Sequence, residues 1–447
     1  MPFTASPSQQ RIAIIGGGIS GLGAAFALKD SADVTLFEKR ERLGGHACTI
    51  DVDYDGSPLS VDIGFIVCND HNYRNFVPLM QHLGVDLVDS DMSFAVSDPA
   101  GFEWSSDRRG LFAWKRNAFN PTFLGLLREI MRFNARARAD IASNSVPDYS
   151  LGDYLDELGV SKTFRDNYLL PMGAAIWSTP ERGVLDYPAE SFIRFFDNHR
   201  LMHMKRPVWR TVKGGSREYV SKMAALLDNR IRLNAPVERI TPGVDGKVEV
   251  ALPSGERQLF DEVILAGHSD QSDKMLSPIY RAQKAALGMA RYAPNIVYVH
   301  RDPSLMPRRR AAWASWNVMR GQGETVCVSY WMNRLQSIPN SQPLFVTLNP
   351  KRPPHPDLTF HTTQFDHPMF DADAQQGRDA VRELQGQDGL WFAGAWLGDG
   401  FHEAGLKSGL ATAFALGGAV PWTPFGVERL SPPAINLPRM LSAETHA

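Results

Sequence analysis

Apolar positions near the start of the chain change period within a few residues. RIAII is a short β-branched run, GGGIS is a glycine turn, and SGLGAAFALKD then places apolar residues at helical spacing. DVTLFEK adds a second strand pattern, so this stretch of ~30 residues predicts a β-α-β unit. From residue 75 to about 206 the pattern turns helical and rich in Leu, Phe and Trp. Strand character returns at RIRLNAPVERITP, KVEVALP and DEVILAG, with DG and PSG turns between. A second, irregular stretch rich in Trp and Pro covers 277–388. LWFAGAWLGDGFHEAGLKSG then repeats the opening strand–glycine–helix pattern, and the remainder reads as an extended tail. This order predicts an α/β fold with two interleaved domains. A Rossmann-like nucleotide-binding domain takes residues 8–74, 207–276 and 389–420. An α+β domain takes 75–206 and 277–388, and the tail takes 421–447.

Composition narrows the class. At 447 residues the chain exceeds one ordinary core, and 43% hydrophobic with 21% charged residues is ordinary for a water-soluble protein. A net charge of −2 predicts no general attraction to nucleic acid or membrane, so any such attraction must be local. Cys48, Cys68 and Cys327 lack CxxC spacing, which argues against a metal site and a disulfide framework. MPFTASPSQQR lacks the charge-then-apolar order of a signal peptide, and no apolar run reaches about 18 residues. The expectation is a cytoplasmic protein.

Gly16, Gly18 and Gly21 fit GxGxxG between a strand and a helix, the spacing that lets a pyrophosphate approach backbone N–H groups. Such a turn can also simply end a strand. Glu38 closes the second strand about 20 residues on, where a carboxylate meets a ribose hydroxyl and repels a 2′-phosphate. KRERLGGHACT follows, with Lys39, Arg42, Gly44 and Gly45. A second glycine turn there suits the longer cofactor FAD better than NAD, and Arg42 is placed to offset its diphosphate charge.

GGGISGL, FEKRERLGGHACT, NAPVERI, DEVILAG and FAGAW with GFHEAGLKSG together resemble the flavin amine oxidase and phytoene desaturase superfamily. Within it the chain resembles the FAD/NAD-binding proteins associated with cyclopropane-fatty-acyl synthase-like methyltransferases. VDIGFIVCNDHNYRN, LLPMGAAIWSTP, RPVWRTVKGGSREYV and YWMNRLQ carry that likeness over most of the chain. The resemblance implies a Rossmann-like FAD-binding domain of glutathione reductase type and FAD held without a covalent bond, since no cysteine lies near the closing motif. It implies a cofactor-contacting set that adds Ile19, Ser20, His46, Asp62, Gly64, Phe65, Val237, Gly394, Gly405 and Leu406 to the residues above. It further implies dehydrogenation of a lipid acyl chain, methyl-branched and carried on a phospholipid, with a methyltransferase as partner. An amine oxidase and a redox-neutral double-bond isomerase are the alternatives.

His402 and Glu403 open the closing helix, so each reads as an acid–base at the flavin or as a helix-start residue favoured by the dipole. Tyr330 and Asn333 read as lining the substrate cavity, Tyr330 as a catalytic candidate, or as packing. By the resemblance, Asn295 falls where many amine oxidases place a flavin-facing lysine. Separately, residues 108–138 carry eight basic residues against one acid, Glu129, interleaved with Trp114, Phe112, Phe119 and Phe123. That pattern suits an anionic membrane surface on the inner face of the membrane, or a solvated face over a packed core. No nucleic-acid-binding fold accompanies it.

Overall fold

The computed structural model describes residues 9–177, 181–203, 205, 207–321 and 327–431. Its first sheet has five parallel strands in the order Ile231–Arg232, Asp33–Phe37, Arg11–Ile15, Glu262–Leu265, Leu390–Phe392. The strands are short and apolar because helices or a second sheet cover both faces. Ile12, Ile14, Val34, Leu36, Ile264 and Trp391 face the opening helix Ile19–Leu28 and the closing helix His402–Ala415. Ala13, Ile15, Phe37, Val263, Leu265 and Phe392 face an antiparallel three-stranded layer spanning Arg239–Phe260.

The second large sheet has seven strands: Thr359–Pro368, Tyr292–His300, Phe345–Leu348, Cys327–Trp331, Trp316–Met319, Phe94–Ser97 and Glu103–Ser105, in spatial order. One face of it packs with the helices between 121 and 198 into the largest apolar cluster. Most of these strands come from the stretch expected to be irregular. The reason is burial. FVTL (345–348) and CVSY (327–330) are buried at every position, so no polar–apolar alternation betrays them.

Packing also moves the expected domain edges. The helix Phe76–Leu83 contributes Phe76, Val77, Leu79 and Met80 to the core under the five-stranded sheet, not to the second domain. Leu287 in Arg281–Leu287 and Val381 in Ala372–Glu383 close that sheet's other face. The described start of the tail is anchored: Trp422 stacks on Phe26 at 5.9 Å, and the Arg74 guanidinium lies 3.9 Å from the Phe425 ring.

Candidate cofactor and active site

The opening turn is built by two glycines in contact. Gly16 has φ +114°, and a Cβ on Gly21 would fall 1.9 Å from its carbonyl oxygen. Gly17 N–H donates to Glu38 Oε2 at 2.8 Å, and Arg40 N–H donates to Oε1 at 2.9 Å. Glu38 therefore fixes the turn with the carboxylate expected to meet a ribose. The second turn lies directly on the first. Gly44 N–H donates to Gly17 O at 2.8 Å, and a Cβ on Gly45 (φ +58°) would stand 3.2 Å from Gly18 Cα.

Around Gly18 and Gly267 an added Cβ would meet nothing within 4 Å, so the backbone opens onto space at both points. Gly18 caps the opening helix without a side-chain hydrogen bond, leaving N–H groups for an anion. His46 Nε2 and His268 Nδ1 are buried with no hydrogen-bond partner. Open glycines, an uncapped helix start and unpaired polar atoms fit a dinucleotide cofactor such as FAD. The 234–237 segment borders the same cradle: Ala235 N–H donates to Glu38 O and Asn234 N–H to Arg40 O, which places Val237 beside the strand end.

Several residues expected to touch the cofactor also brace the fold. Arg42 Nη1 donates to Leu43 O and Gly45 O, so it braces the second turn from behind. Lys39 is exposed and reaches Gln271. Ile19, Ser20, Gly405 and Leu406 pack in the seam between the opening and closing helices, while the N–H groups of Ile19 and Ser20 are among those the uncapped helix start leaves free. A Cβ on Gly405 would lie 2.9 Å from Ile19 Cγ2, and one on Gly23 would lie 2.7 Å from Leu406 Cδ1. Gly394 N–H donates to Ser408 Oγ, and a Cβ there would strike Trp396.

Asp62 is fully buried and accepts hydrogen bonds from Thr49 Oγ1, Ser216 N and Oγ, and Gln336 Nε2. It joins the start of the helix Arg217–Leu227 to the second domain. Gly64 has room only for hydrogen, because a Cβ would fall 2.1 Å from His46 O; Phe65 N–H donates to that same oxygen.

The two expected acid–base residues are both held by structural partners. Glu403 Oε1 accepts from Asn75 N–H (2.8 Å) and Asn75 Nδ2 (2.7 Å), while Oε2 accepts from Phe76 N–H (2.9 Å). It caps the helix Phe76–Leu83 from the far end of the chain, and both oxygens are engaged. His402 stacks on Phe65 with ring centroids 3.8 Å apart, and its Nε2 shares a 2.7 Å hydrogen bond with Tyr219 Oη. Burial pushes its pKa down to about 3, so the ring is neutral. Asn333 is equally committed: Nδ2 donates to Pro339 O and Gln342 O, and Oδ1 accepts from Leu344 N–H.

Asn295 leads to residues the sequence pattern did not reveal. Its Oδ1 accepts from Asn349 Nδ2 at 2.6 Å, and its Nδ2 donates to Ala293 O and to His367 Nδ1 at 3.1 Å. That chain makes Nδ1 of His367 an acceptor and leaves its proton on Nε2. His367 lies 5.5 Å from the His46 ring, and Phe365 lies 4.9 Å from it. Burial depresses His46 strongly and His367 to about 4, so both are neutral. His268, stacked on Tyr292, completes the group at 5.8 Å from His46. The period-2 pattern of QFDHP, with Phe365 and His367 on one face, was the available signal.

His46 thus joins two regions. Through Gly45 it adjoins the cradle at Gly18, and through Phe365 and His367 it adjoins the seven-stranded sheet. Strand register puts Asn295, Val297, Val299, Val346, Leu348, Val328 and Tyr330 on that same sheet face. Tyr330 packs edge-on against Trp316 at 4.9 Å, and burial raises its pKa, so it remains a phenol. Among the described residues, no charged side chain lies on this face of those strands.

Comparison with known proteins agrees with this geometry. The family of flavin containing amine oxidoreductases matches residues 19–310. Polyamine oxidase 4 of Oryza sativa subsp. japonica is 36% identical over 115 residues, 22% of each chain. Carotenoid 3,4-desaturase of Haloarcula japonica is 51% identical over 47 residues, 10% of each chain. The alignments therefore span under a quarter of these relatives. Among solved structures, putrescine oxidase bound to putrescine superposes with TM-score 0.66 at 16% identity, covering 91% of this chain and 99% of that one. A CLA-producing fatty acid isomerase from P. acnes superposes with TM-score 0.64 at 15% identity, covering 92% and 99%. The chain belongs to the flavin containing amine oxidoreductase family, an FAD-dependent oxidoreductase group whose cofactor suits the cradle between Gly18, Glu38 and His46.

Proposed function

We propose that the protein dehydrogenates a lipid acyl chain, in keeping with its likeness to the methyltransferase-associated group. The observation that carries this reading is the uncharged sheet face beside His46. A protonated amine desolvated there would need a carboxylate partner, whereas an acyl chain needs only apolar surface and the exclusion of water. Bound FAD supplies the redox chemistry by accepting two electrons.

The chain's own residues hold and shield the substrate. Val297, Val328, Val346 and Leu348 are buried where this face packs on the helices between 121 and 198, so an acyl chain reaches them only by entering between sheet and helices, and Phe365 lies against His46 at the cradle end. In the reaction a C–H bond gives up its hydrogen with both electrons, the neighbouring carbon loses a proton, and a C=C bond forms between them. His46, neutral and with Nε2 unpaired, is the first acceptor of that proton in this reading, and because burial holds its pKa well below 6.5 it passes the proton on rather than keeping it. His367 is held beside it by Asn295, with its proton on Nε2.

Anaerobic mixing of the FAD-loaded protein with a panel of unsaturated and methyl-branched acyl lipids and of amines tests the reading. Lipids should bleach the yellow flavin, and His46→Gln should keep FAD while slowing bleaching by about 10²–10⁴-fold. Bleaching by amines and by no lipid would reject it in favour of amine oxidation, the activity named in the putrescine and polyamine oxidase relatives. A shifted double bond without net bleaching would point to isomerisation.

A further inference from the structure

The helix Pro121–Ala142 turns Phe123, Leu126, Phe133 and Ala137 inward, into the cluster shared with the seven-stranded sheet. Its outward stripe reads Leu124, Arg128, Met131, Arg138, at i, i+4, i+7 and i+14. An outward helix face is normally polar. Here Met131 is 63% exposed and Leu124 45%, and in the preceding turn Phe119 is 89% exposed.

The polar residues around them are almost all cations. Arg108, Arg109, Lys115, Arg116 and Arg128 are exposed, and among the described residues none has an ion-pair partner. The structure adds a second basic run remote in sequence. The Arg309 guanidinium lies 5.3 Å from the Trp114 ring, which brings exposed Arg308 and Arg310 to the same flank. A cavity of about 550 Å³ opens there, lined by Arg109, Arg310, Arg334, Trp313 and Trp331. Arg334 is neutralised by Asp91 and Asp107, while Arg310 lies 4.8 Å from the Trp313 ring without an ion pair.

We propose that this face docks on an anionic phospholipid bilayer. The cations meet lipid phosphates, while Phe119, Leu124 and Met131 enter the boundary between headgroups and acyl chains. Apolar side chains exposed among unpaired cations gain from a bilayer but gain nothing from a phosphate backbone, so the surface favours lipid over nucleic acid. Because the chain as a whole carries −2, the attraction must come from local cations such as these. Docking is independent of which substrate the site oxidises.

The test is co-sedimentation of the FAD-loaded protein with vesicles of mixed phosphatidylglycerol and phosphatidylcholine, and with phosphatidylcholine alone. The protein should follow the anionic vesicles only, and less so as salt shortens the screening length from about 10 Å at 0.1 M. Arg116→Glu with Arg128→Glu should lower partition at least ~10-fold. Phe119→Ser with Met131→Ser should lower it several-fold at constant charge, and flavin content reports that both variants fold. Wild type that stays in the supernatant would overturn the proposal, as would serine variants that bind like wild type. So would tighter binding to duplex DNA than to the anionic vesicles.

Discussion

Glu403 shows how a residue in a catalytic-looking position can be wholly absorbed by structure. A carboxylate at the first turn of the closing helix has favourable dipole interactions, but its oxygens also take three N–H groups at the start of Phe76–Leu83. Burial raises its pKa and these donors oppose the rise. Glu403→Gln replaces one acceptor oxygen with an NH₂ that faces an N–H donor. The expected loss is about 1.5–3 kcal/mol of stability, read as a lower unfolding midpoint. The rate of flavin bleaching per bound FAD should stay within a few-fold of wild type. A drop of a hundredfold or more with an unchanged midpoint would return Glu403 to the chemistry.

At the scale of elements, the glycine pattern made the nucleotide-type half legible. GxGxxG, Glu38 and the second glycine turn each have a local spacing, and the geometry joins them within a few ångströms. What the pattern hid was contact between distant segments. Gly405 and Leu406 look like flavin neighbours in sequence, yet they form a helix seam with Ile19 and Gly23. His367 stayed invisible because its role depends on a partner 72 residues away, Asn295, across two strands. The seam makes a sharp contrast between two glycines. In Gly409→Ala the new Cβ would fall 2.0 Å from Ser20 O, a backbone atom, so the helices must part. The expected cost is about 1–3 kcal/mol with reduced FAD occupancy, since Ser20 lies in the first turn after the cradle. In Gly125→Ala the Cβ meets nothing within 4 Å inside an exposed helix, so stability should rise by up to about 1 kcal/mol. Equal midpoints for the two variants would refute the seam.

Across the whole molecule, the cradle and the sheet meet over a group of buried neutral histidines, and that arrangement sets its response to acid. Burial lowers the pKa of His46 and His268, takes His367 to about 4, and takes His402 to about 3. In the unfolded chain each would titrate near 6.5, so above that pH both states are neutral and the histidines exert no pH-dependent effect. As pH falls below 6.5 the unfolded chain binds protons that the folded one refuses, and each histidine subtracts up to about 1.4 kcal/mol per pH unit until its folded pKa is reached. Asp62 and Glu403 work in the opposite sense, because burial raises their pKa values and the folded state gains their protons first. His71, His199 and His300 are lowered as well, and Glu181 and Glu262 raised, so among the described residues seven histidines against four carboxyls leave a net loss between pH 6.5 and about 4. The unfolding midpoint of the FAD-loaded protein should therefore be flat above pH 7 and fall between pH 6.5 and 5. In His402→Gln, which retains a hydrogen-bonding group for Tyr219, one of these histidine terms disappears, so the fall over that interval should be shallower by about 1–2 kcal/mol. Identical acid slopes for the variant and wild type would show that His402 accepts protons in the folded state, which is incompatible with its seat between Phe65, Phe76 and Tyr219.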